Sequence, residues 1–314
     1  MNCRCCNGKA KKFGKFKNIN RIVQRYHCPR CGTTFSDSQP LDGLRLDHDR
    51  VVQICKLLTE GLGVRAVARF VGCDPHTVLA VLQTIGQKCE SFLDRTLLNL
   101  SVESLQIDEL WSKLGARQER KTSEMGVFTF LGIDAKTKVI VSHYTGRRDS
   151  VSTDFFVDDL AKRICGQTQI TTDGWRAYPD ALRRYLFDRL NYATLHKNYY
   201  PDFFNPKQPE RRYATPVCSG IKIKVLAGNP RRELISTSFI ERANLSVRHF
   251  NKRFARLGLG WSRKPENHCY AISLFVAAHN FCKVHRTLGT TPAVASKLTT
   301  ETWTVQRLID EATK

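Results

Sequence analysis

Two features are missing from this sequence, and both restrict what the protein can be. It contains no run of about 18 apolar residues, so it offers no candidate transmembrane helix. No charged-then-apolar signal segment opens it either, and we expect a soluble, cytoplasmic protein without a membrane partner. Its 314 residues, 41% of them hydrophobic, are enough for one sizeable domain plus one or two small modules.

Acidic side chains are scarce relative to basic ones. The chain has 50 Lys and Arg against 29 Asp and Glu, which gives a net charge of +21. Residues 1–31 carry nine basic and no acidic residues, and residues 197–264 carry fifteen against four. A basic protein can owe its charge to solubility alone, but clustering on this scale favours binding to a polyanion. We expect two DNA-facing surfaces, one at each cluster.

Four of the twelve cysteines form two closely spaced pairs near the N-terminus. Cys3 with Cys6 and Cys28 with Cys31 are C-x2-C pairs, the spacing of a four-thiolate zinc ribbon. The short basic segment between them has too few apolar residues for its own core, so one structural Zn²⁺ would supply the folding energy. Cys5 is a spare that could compete with Cys6, and the alternative is a set of reduced surface cysteines. Most of the others lie among apolar neighbours and are interpreted as small core residues: Cys55, Cys73, Cys89, Cys165, Cys269 and Cys282.

The segment after this ribbon has the pattern of a helix-turn-helix. Apolar residues recur at helical spacing in 51–58, a short helix is predicted over 64–70, and Gly72 suits a turn. Asp74 followed by Pro75 predicts the start of a third helix. An ordinary three-helix module is the alternative. If the last helix enters a DNA groove, three of its residues would face bases or phosphates: His76, Thr77 and Gln83.

From about residue 101 the pattern changes to short strands that alternate with helices. Five strands are predicted, with helices after the third and the fourth: 102–111, 127–134, 139–144, 169–175 and 191–196. Three meander strands, a helix, a strand, a helix and a strand is the element order of a ribonuclease H-like fold. The predicted class is therefore α/β, a mixed five-stranded sheet with helices, preceded by the zinc ribbon and the all-α helix-turn-helix module.

This element order indicates which three acidic residues form the active site. Asp108 and Asp173 end the first and fourth strands, so adjacent parallel strands would bring their carboxylates to one end of the sheet. A later amphipathic helix presents Glu241 at the head of a polar face that also carries Arg248 and Lys252. Three oxygen ligands suit two Mg²⁺ or Mn²⁺ ions about 4 Å apart, which assist phosphodiester chemistry. Asp108, Asp173 and Glu241 are the predicted catalytic and Mg²⁺-binding residues.

Other acids fit a catalytic role less well. Glu109 adjoins Asp108, but strand alternation should send it to the opposite face of the sheet. Asp134 sits at a predicted hairpin turn, where aspartate is structurally favoured. The remainder are interpreted as solvated surface acids: Glu103, Asp158 and Asp159.

The sequence resembles the DDE transposases of insertion-sequence-one type elements over nearly its whole length. The resemblance rests on five motifs: Y-H-C-P-R-C-G at 26–32, I-D-E-L-W at 107–111, T-D-G-W at 172–175, I-E-R-A-N-L-S-V-R at 240–248 and H-N-F-C-K-V-H-R-T-L-G-T-T-P-A at 279–293. In the first such elements known, the zinc/helix part and the catalytic part lie in separate reading frames joined by frameshifting. Here one continuous chain carries both.

The resemblance implies an activity, partners and an assembly. Asp108, Asp173 and Glu241 match the family's catalytic acids by position. The implied activity is cleavage at terminal inverted repeats and strand transfer into target double-stranded DNA, with two Mg²⁺ or Mn²⁺ ions per site. Holding two DNA ends together requires a homo-oligomer, at least a dimer. A bacterial protein of this kind would be associated with the nucleoid, and Arg248 and Lys252 would contact phosphate.

Four domains are predicted from these patterns. Residues 1–40 would form the zinc ribbon, 41–98 the helix-turn-helix, 99–295 the catalytic domain and 296–314 a C-terminal helix or tail. The segment 197–233 shows no assignable pattern and is interpreted as an insertion, either touching DNA or forming a surface loop.

Two other functions remain open at this point. One is a catalytically idle DNA-binding regulator derived from a transposase. The other is a ribonuclease H-like nuclease that cuts without strand transfer. Intact acids favour an enzyme over the regulator, and the zinc ribbon with a helix-turn-helix favours selection of a duplex sequence.

Overall fold

The structure is a computed structural model, and it describes all residues except 4, 19–20, 37–40, 42–43, 45, 116–125, 200–217 and 256–257. A small antiparallel sheet opens the chain, formed by β1 (Lys11–Asn18), β2 (Arg21–His27) and β3 (Thr34–Ser36). Among its described apolar residues Val23 is buried, whereas Phe13, Phe16 and Ile22 are exposed. This sheet therefore has almost no hydrophobic core to stabilise it.

Three helices follow at the predicted places: α1 (His48–Thr59), α2 (Val64–Val71) and α3 (Pro75–Thr96). Asp74 starts α3 because its side chain accepts a hydrogen bond from the amide of His76 at 2.7 Å. Gly72 ends α2 in the left-handed conformation, at a φ of 69°. The helices and the turn expected from the sequence are confirmed.

The central sheet is built from six strands, one more than predicted. In chain order the elements are β4 (Leu100–Ser101), β5 (Ser104–Lys113), β6 (Gly126–Asp134), β7 (Ile140–Gly146), α4 (Ser150–Arg163), β8 (Ile164–Cys165), β9 (Thr168–Thr172), α5 (Tyr178–Leu186), β10 (Leu190–Tyr199) and β11 (Cys218–Ala227). The central order is β11-β10-β9-β5-β6-β7, and β4 pairs separately with β8. The predicted mixed α/β sheet is confirmed. The extra strand β11 lies in the segment left unassigned, where an alternating I-K-I-K pattern pairs antiparallel with β10.

Helices cover both faces of this sheet. On one face α4 packs through Phe156 and Leu160, which lie over Gly132 of β6. On the other face α6 (Ser238–Phe250) begins where Gln106 accepts the amides of Phe239 and Ile240. The remaining helices are α7 (Pro265–Phe281), α8 (Pro292–Ala295) and α9 (Val305–Ala312). None of the helices in the described ranges is long and apolar enough to cross a membrane.

The helix-turn-helix segment shares its core with the sheet domain. Gly86 of α3 lies so close to Tyr270 of α7 that a Cβ at position 86 would be 2.6 Å from the Tyr270 carbonyl oxygen. Gln83 donates to Asn267 of α7 at 2.8 Å. Gln83 is exposed and its amide already bonds α7, so its contact with DNA stays a prediction.

Candidate functional site

The two N-terminal cysteine pairs come together as predicted. One Sγ from each of Cys3, Cys6, Cys28 and Cys31 lies within 4.8 Å of the other three. The Cys3–Cys31 and Cys6–Cys28 sulfur pairs are 3.5 and 3.6 Å apart. Tetrahedral Zn–S bonds of about 2.3 Å place sulfurs roughly 3.8 Å apart, so the four thiols fit one Zn²⁺.

Local hydrogen bonds favour a thiolate at Cys31. Hydrogen bonds from the hydroxyl and amide of Thr33 lower the pKa of Cys31 to about 6. The amide of Cys5 donates to the Cys3 sulfur at 3.4 Å, while its own thiol is exposed outside the group of four. In this geometry Cys5 contributes its backbone and does not take the place of Cys6.

The second cluster is acidic and lies at one end of the central sheet. Parallel pairing of β5 with β9 ends at Ile107 and Thr172, so Asp108 and Asp173 are the next residues along each strand. One carboxylate oxygen from each of Asp108, Glu109 and Asp173 lies within 4.8 Å of the others. The expected meeting of the first two aspartates at a sheet end is thus what the strand register produces. Asp108 is not the end of its strand, however, because β5 continues along β6 to Lys113.

Glu109 takes part in this cluster, although its position on the strand predicted that it would face away from Asp108. Alternation does send it to the α5 side, where its carboxylate accepts from Arg148 at 3.0 Å and Tyr178 is buried beside it. Alternation fails to remove it from the site because β9 has already ended at Thr172. Without a strand on the β9 side at this level, side chains from both faces of β5 reach the same open edge beside Asp173.

Crowding of carboxylates perturbs this site strongly. Burial, then the charges of Asp173 and Glu109, raise the pKa of Asp108 to about 7. Burial also raises the pKa of Glu109, while Tyr178 and Arg148 oppose that change. Bringing these carboxylates together lowers the stability of the fold, and a bound cation would reduce their repulsion.

Two neutral or cationic side chains hold the acids in place. The Nδ2 of Asn244, on α6, donates to Asp108 Oδ2 at 2.7 Å, and its own Oδ1 is buried without a hydrogen-bond partner. Arg148 lies 3.9 Å from Asp173 Oδ2 and stacks 4.4 Å from the centre of the Trp175 ring. Arg148 was not singled out from the sequence, and Asn244 was expected only to share the polar face of the helix that carries Glu241. The only available signal for Asn244 was its place one helical turn after Glu241.

Glu241 is near this cluster but is held by other partners. Its Oε1 accepts from Lys197 Nζ at 2.5 Å and from Thr237 Oγ1 at 2.7 Å. Glu241 is absent from the carboxylate group within 4.8 Å, although its charge contributes to the raised pKa of Asp108. Its use as a third metal ligand would therefore require its side chain to move toward Asp108 and Asp173.

The predicted DNA-contacting residues lie in separate places. His76 is exposed and Thr77 half-buried at the start of α3, and Arg248 is half-buried on α6. Lys252 was expected on the polar face of that helix. It lies beyond the helix, because α6 ends at Phe250 and residues 252–254 form a 3-10 turn. Asn251 interrupts the helix by using its side chain to bond the amide of Arg253 and the carbonyl of Ala271.

Comparisons with known proteins give little beyond this geometry. No protein-family model matches the chain, and no curated protein matches it. Among solved structures it is similar to the piggyBac transposase synaptic complex with hairpin DNA, at 10% identity, a TM-score of 0.38, and coverage of 85% of this chain and 70% of that one. We base the functional proposal on the geometry of the site and give this distant likeness no weight.

Proposed function

We propose that this protein is a metal-dependent DNA transposase of the Asp-Asp-Glu type, similar to those of insertion-sequence-one elements. The observation that carries the proposal is the meeting of Asp108, Asp173 and Glu109 at the end of two parallel strands. The strand order β10-β9-β5-β6-β7, with a parallel and an antiparallel half, supports a ribonuclease H-like assignment. The net charge of +21 supports a polyanionic substrate.

Each residue has a defined task in this proposal. Asp108 and Asp173 would hold Mg²⁺ ions, and Glu241 would join them once its side chain leaves Lys197. Asn244 donates to Oδ2 of Asp108 and the amide of Glu109 donates to Oδ1, and these two bonds would orient the carboxylate toward the metal. Two bound Mg²⁺ ions would activate the attacking water or 3′-hydroxyl and stabilise the leaving oxygen.

The remaining parts would select and hold DNA. The four-cysteine zinc site would stabilise the N-terminal sheet, and His76 and Thr77 at the start of α3 would contact the element's inverted repeats. Arg248 would hold phosphate near the acids. Cleavage at two ends and joining to a target would require at least a dimer.

The test uses purified full-length protein, Mg²⁺ and a labelled duplex that carries the inverted repeat flanking the gene. The parent should cut at the element end and join the 3′ end to a target plasmid. Asp108→Ala should abolish cutting and leave binding of the duplex nearly intact. Asp158→Ala is the matched control, because Asp158 pairs with Lys162 on the surface of α4 and should cut normally.

The outcomes distinguish the three candidate functions. Binding without any cutting by the parent would indicate the DNA-binding regulator, and cutting without joined product would indicate a nuclease. If Asp108→Ala cuts as well as the parent, the acidic cluster is not the active site and the proposal fails.

A further inference from the structure

The outer two strands of the central sheet continue past its parallel part. Pairing of β10 with β9 ends at Thr194, whereas pairing of β10 with β11 runs on to Tyr199. Asp173 directly follows Thr172, the partner of Thr194 in β9. The two-stranded ribbon of residues 195–199 and 218–223 therefore extends from the same end of the sheet as the acidic cluster.

Basic side chains line one face of this ribbon and of the adjoining end of the sheet. His196 pairs with Lys222, and Thr194 pairs with Lys224, so both lysines share the face of His196. Arg183 of α5 lies at the edge of this face, where its guanidinium donates to a carbonyl of β11 at 3.1 Å. All four basic side chains are exposed, and in the described part of the chain none of them forms an ion pair.

The cationic face begins at the acidic cluster itself. Gly174, the residue after Asp173, has a φ of +100°, and a Cβ built there would lie 2.1 Å from the imidazole Cε1 of His196. The absence of a side chain at Gly174 lets His196 lie directly on the turn that carries Asp173. Basic side chains thus lie beside the acids: His196 on the turn of Asp173, Lys222 across the strand pair from it, and Lys224 level with Thr172.

The opposite face of the ribbon has a different chemical character. Lys197, Leu195 and Ile223 lie there, and Lys197 is already paired with Glu241 of α6. Among the described residues of the ribbon, the basic side chains without an acidic partner therefore lie on the α5 side. This asymmetry is what a one-sided contact with a charged strand would need.

The geometry points to a binding site for the phosphodiester backbone of DNA on this cationic face, which we name the ribbon site (His196, Lys222, Lys224 and Arg183). This inference rests on the proposed function, since the strand bound here is the one whose phosphate reaches Asp108 and Asp173. A cluster of carboxylates repels a phosphate backbone, so cations on its flank are needed to hold the strand. Alternate residues of a strand are about 7 Å apart, which lets Lys222 and Lys224 contact neighbouring phosphates.

The test is the salt dependence of DNA binding by the full-length protein, with zinc retained and no Mg²⁺ added. A labelled 30-base-pair duplex of arbitrary sequence is the probe, because backbone contacts do not depend on sequence. The double variant Lys222→Gln/Lys224→Gln should lower the slope of log K against log salt by about 2, since each phosphate contact contributes about 0.9. The control is Lys136→Gln/Lys297→Gln, a pair of exposed lysines away from the ribbon, and its slope should equal that of the parent.

Each outcome bears on one claim. Equal slopes for the two double variants would overturn the ribbon site, because the charge loss would then act only through the overall field. A duplex RNA of the same length is the second probe. If Lys222→Gln/Lys224→Gln weakened binding of this RNA but not of the DNA, the ribbon site would not be a DNA site. A parent that binds DNA but never cuts it with Mg²⁺ would instead refute the proposed function. Cutting assays at rising salt should show a raised KM for the ribbon variant with kcat retained, unlike Asp108→Ala.

Discussion

Replacement of Asp108 by asparagine should stabilise the metal-free protein at alkaline pH while abolishing its activity. Burial and neighbouring carboxylates raise the pKa of Asp108 from 3.8 to about 7 in the folded chain. The folded protein therefore binds more protons than the unfolded chain between these two values. Raising the pH through this window destabilises the parent, and the cost is fully present above pH 7.

The size of the effect follows from the shift. About three pKa units at about 1.36 kcal/mol each give a cost of roughly 4 kcal/mol above pH 7, of which less than about 2 kcal/mol is present at pH 5. Asparagine carries no charge but loses part of the hydrogen bonding to Asn244 and to the amide of Glu109, about 1–3 kcal/mol at every pH. The difference between variant and parent should thus grow by about 2–3 kcal/mol from pH 5 to pH 8.

Thermal unfolding of both proteins, followed at pH 5, 6, 7 and 8 without Mg²⁺, measures this difference. In a chain of this size 1 kcal/mol corresponds to a melting-temperature change of about 2–4 °C. The gap between variant and parent should widen by at least about 4 °C toward pH 8. Added Mg²⁺ should then close the gap by stabilising the parent alone. A pH-independent gap would refute the reasoning, because it would mean that Asp108 carries no electrostatic strain.

Three further predictions concern the zinc site and two close contacts of the fold. Cys28→Ser, or mild chelation, should unfold the strands of residues 11–36 and weaken DNA binding, while near-ultraviolet circular dichroism of the central domain stays unchanged. Gly174→Ala should lower the free energy of unfolding in urea by about 2–4 kcal/mol, since it adds a clash with the imidazole of His196 to the strain of a positive φ. Gly166→Ala is the control: it has a φ of +74° with open space around it and should cost about 1–2 kcal/mol. Equal losses of stability in the two variants would contradict the clash. Gly86→Ala should cost at least about 2 kcal/mol, because its Cβ would meet the Tyr270 backbone, even though alanine favours helices; a stabilised variant would mean that α3 and α7 are not in contact.

Much of the local structure could be predicted from the sequence because it depends on neighbours along the chain. The C-x2-C pairs, the Asp74–Pro75 helix start and the alternating strands are short-range patterns, and each formed where it was expected. The end of α6 was missed for a local reason as well. Asn251 bonds backbone groups with its side chain, and apolar periodicity alone does not register that competition.

Which acids meet was a matter of tertiary structure. The sequence by itself determined that positions 108 and 173 carry carboxylates, and it determined the basic clusters. Register decided the rest, since β9 ends level with Ile107 and so opens the edge at which Glu109 joins the two aspartates. Register also placed Lys222 beside His196, across a strand pair that no local pattern specifies. Long-range pairing fixes these neighbours, because residues far apart in the chain come together only when the whole sheet has formed.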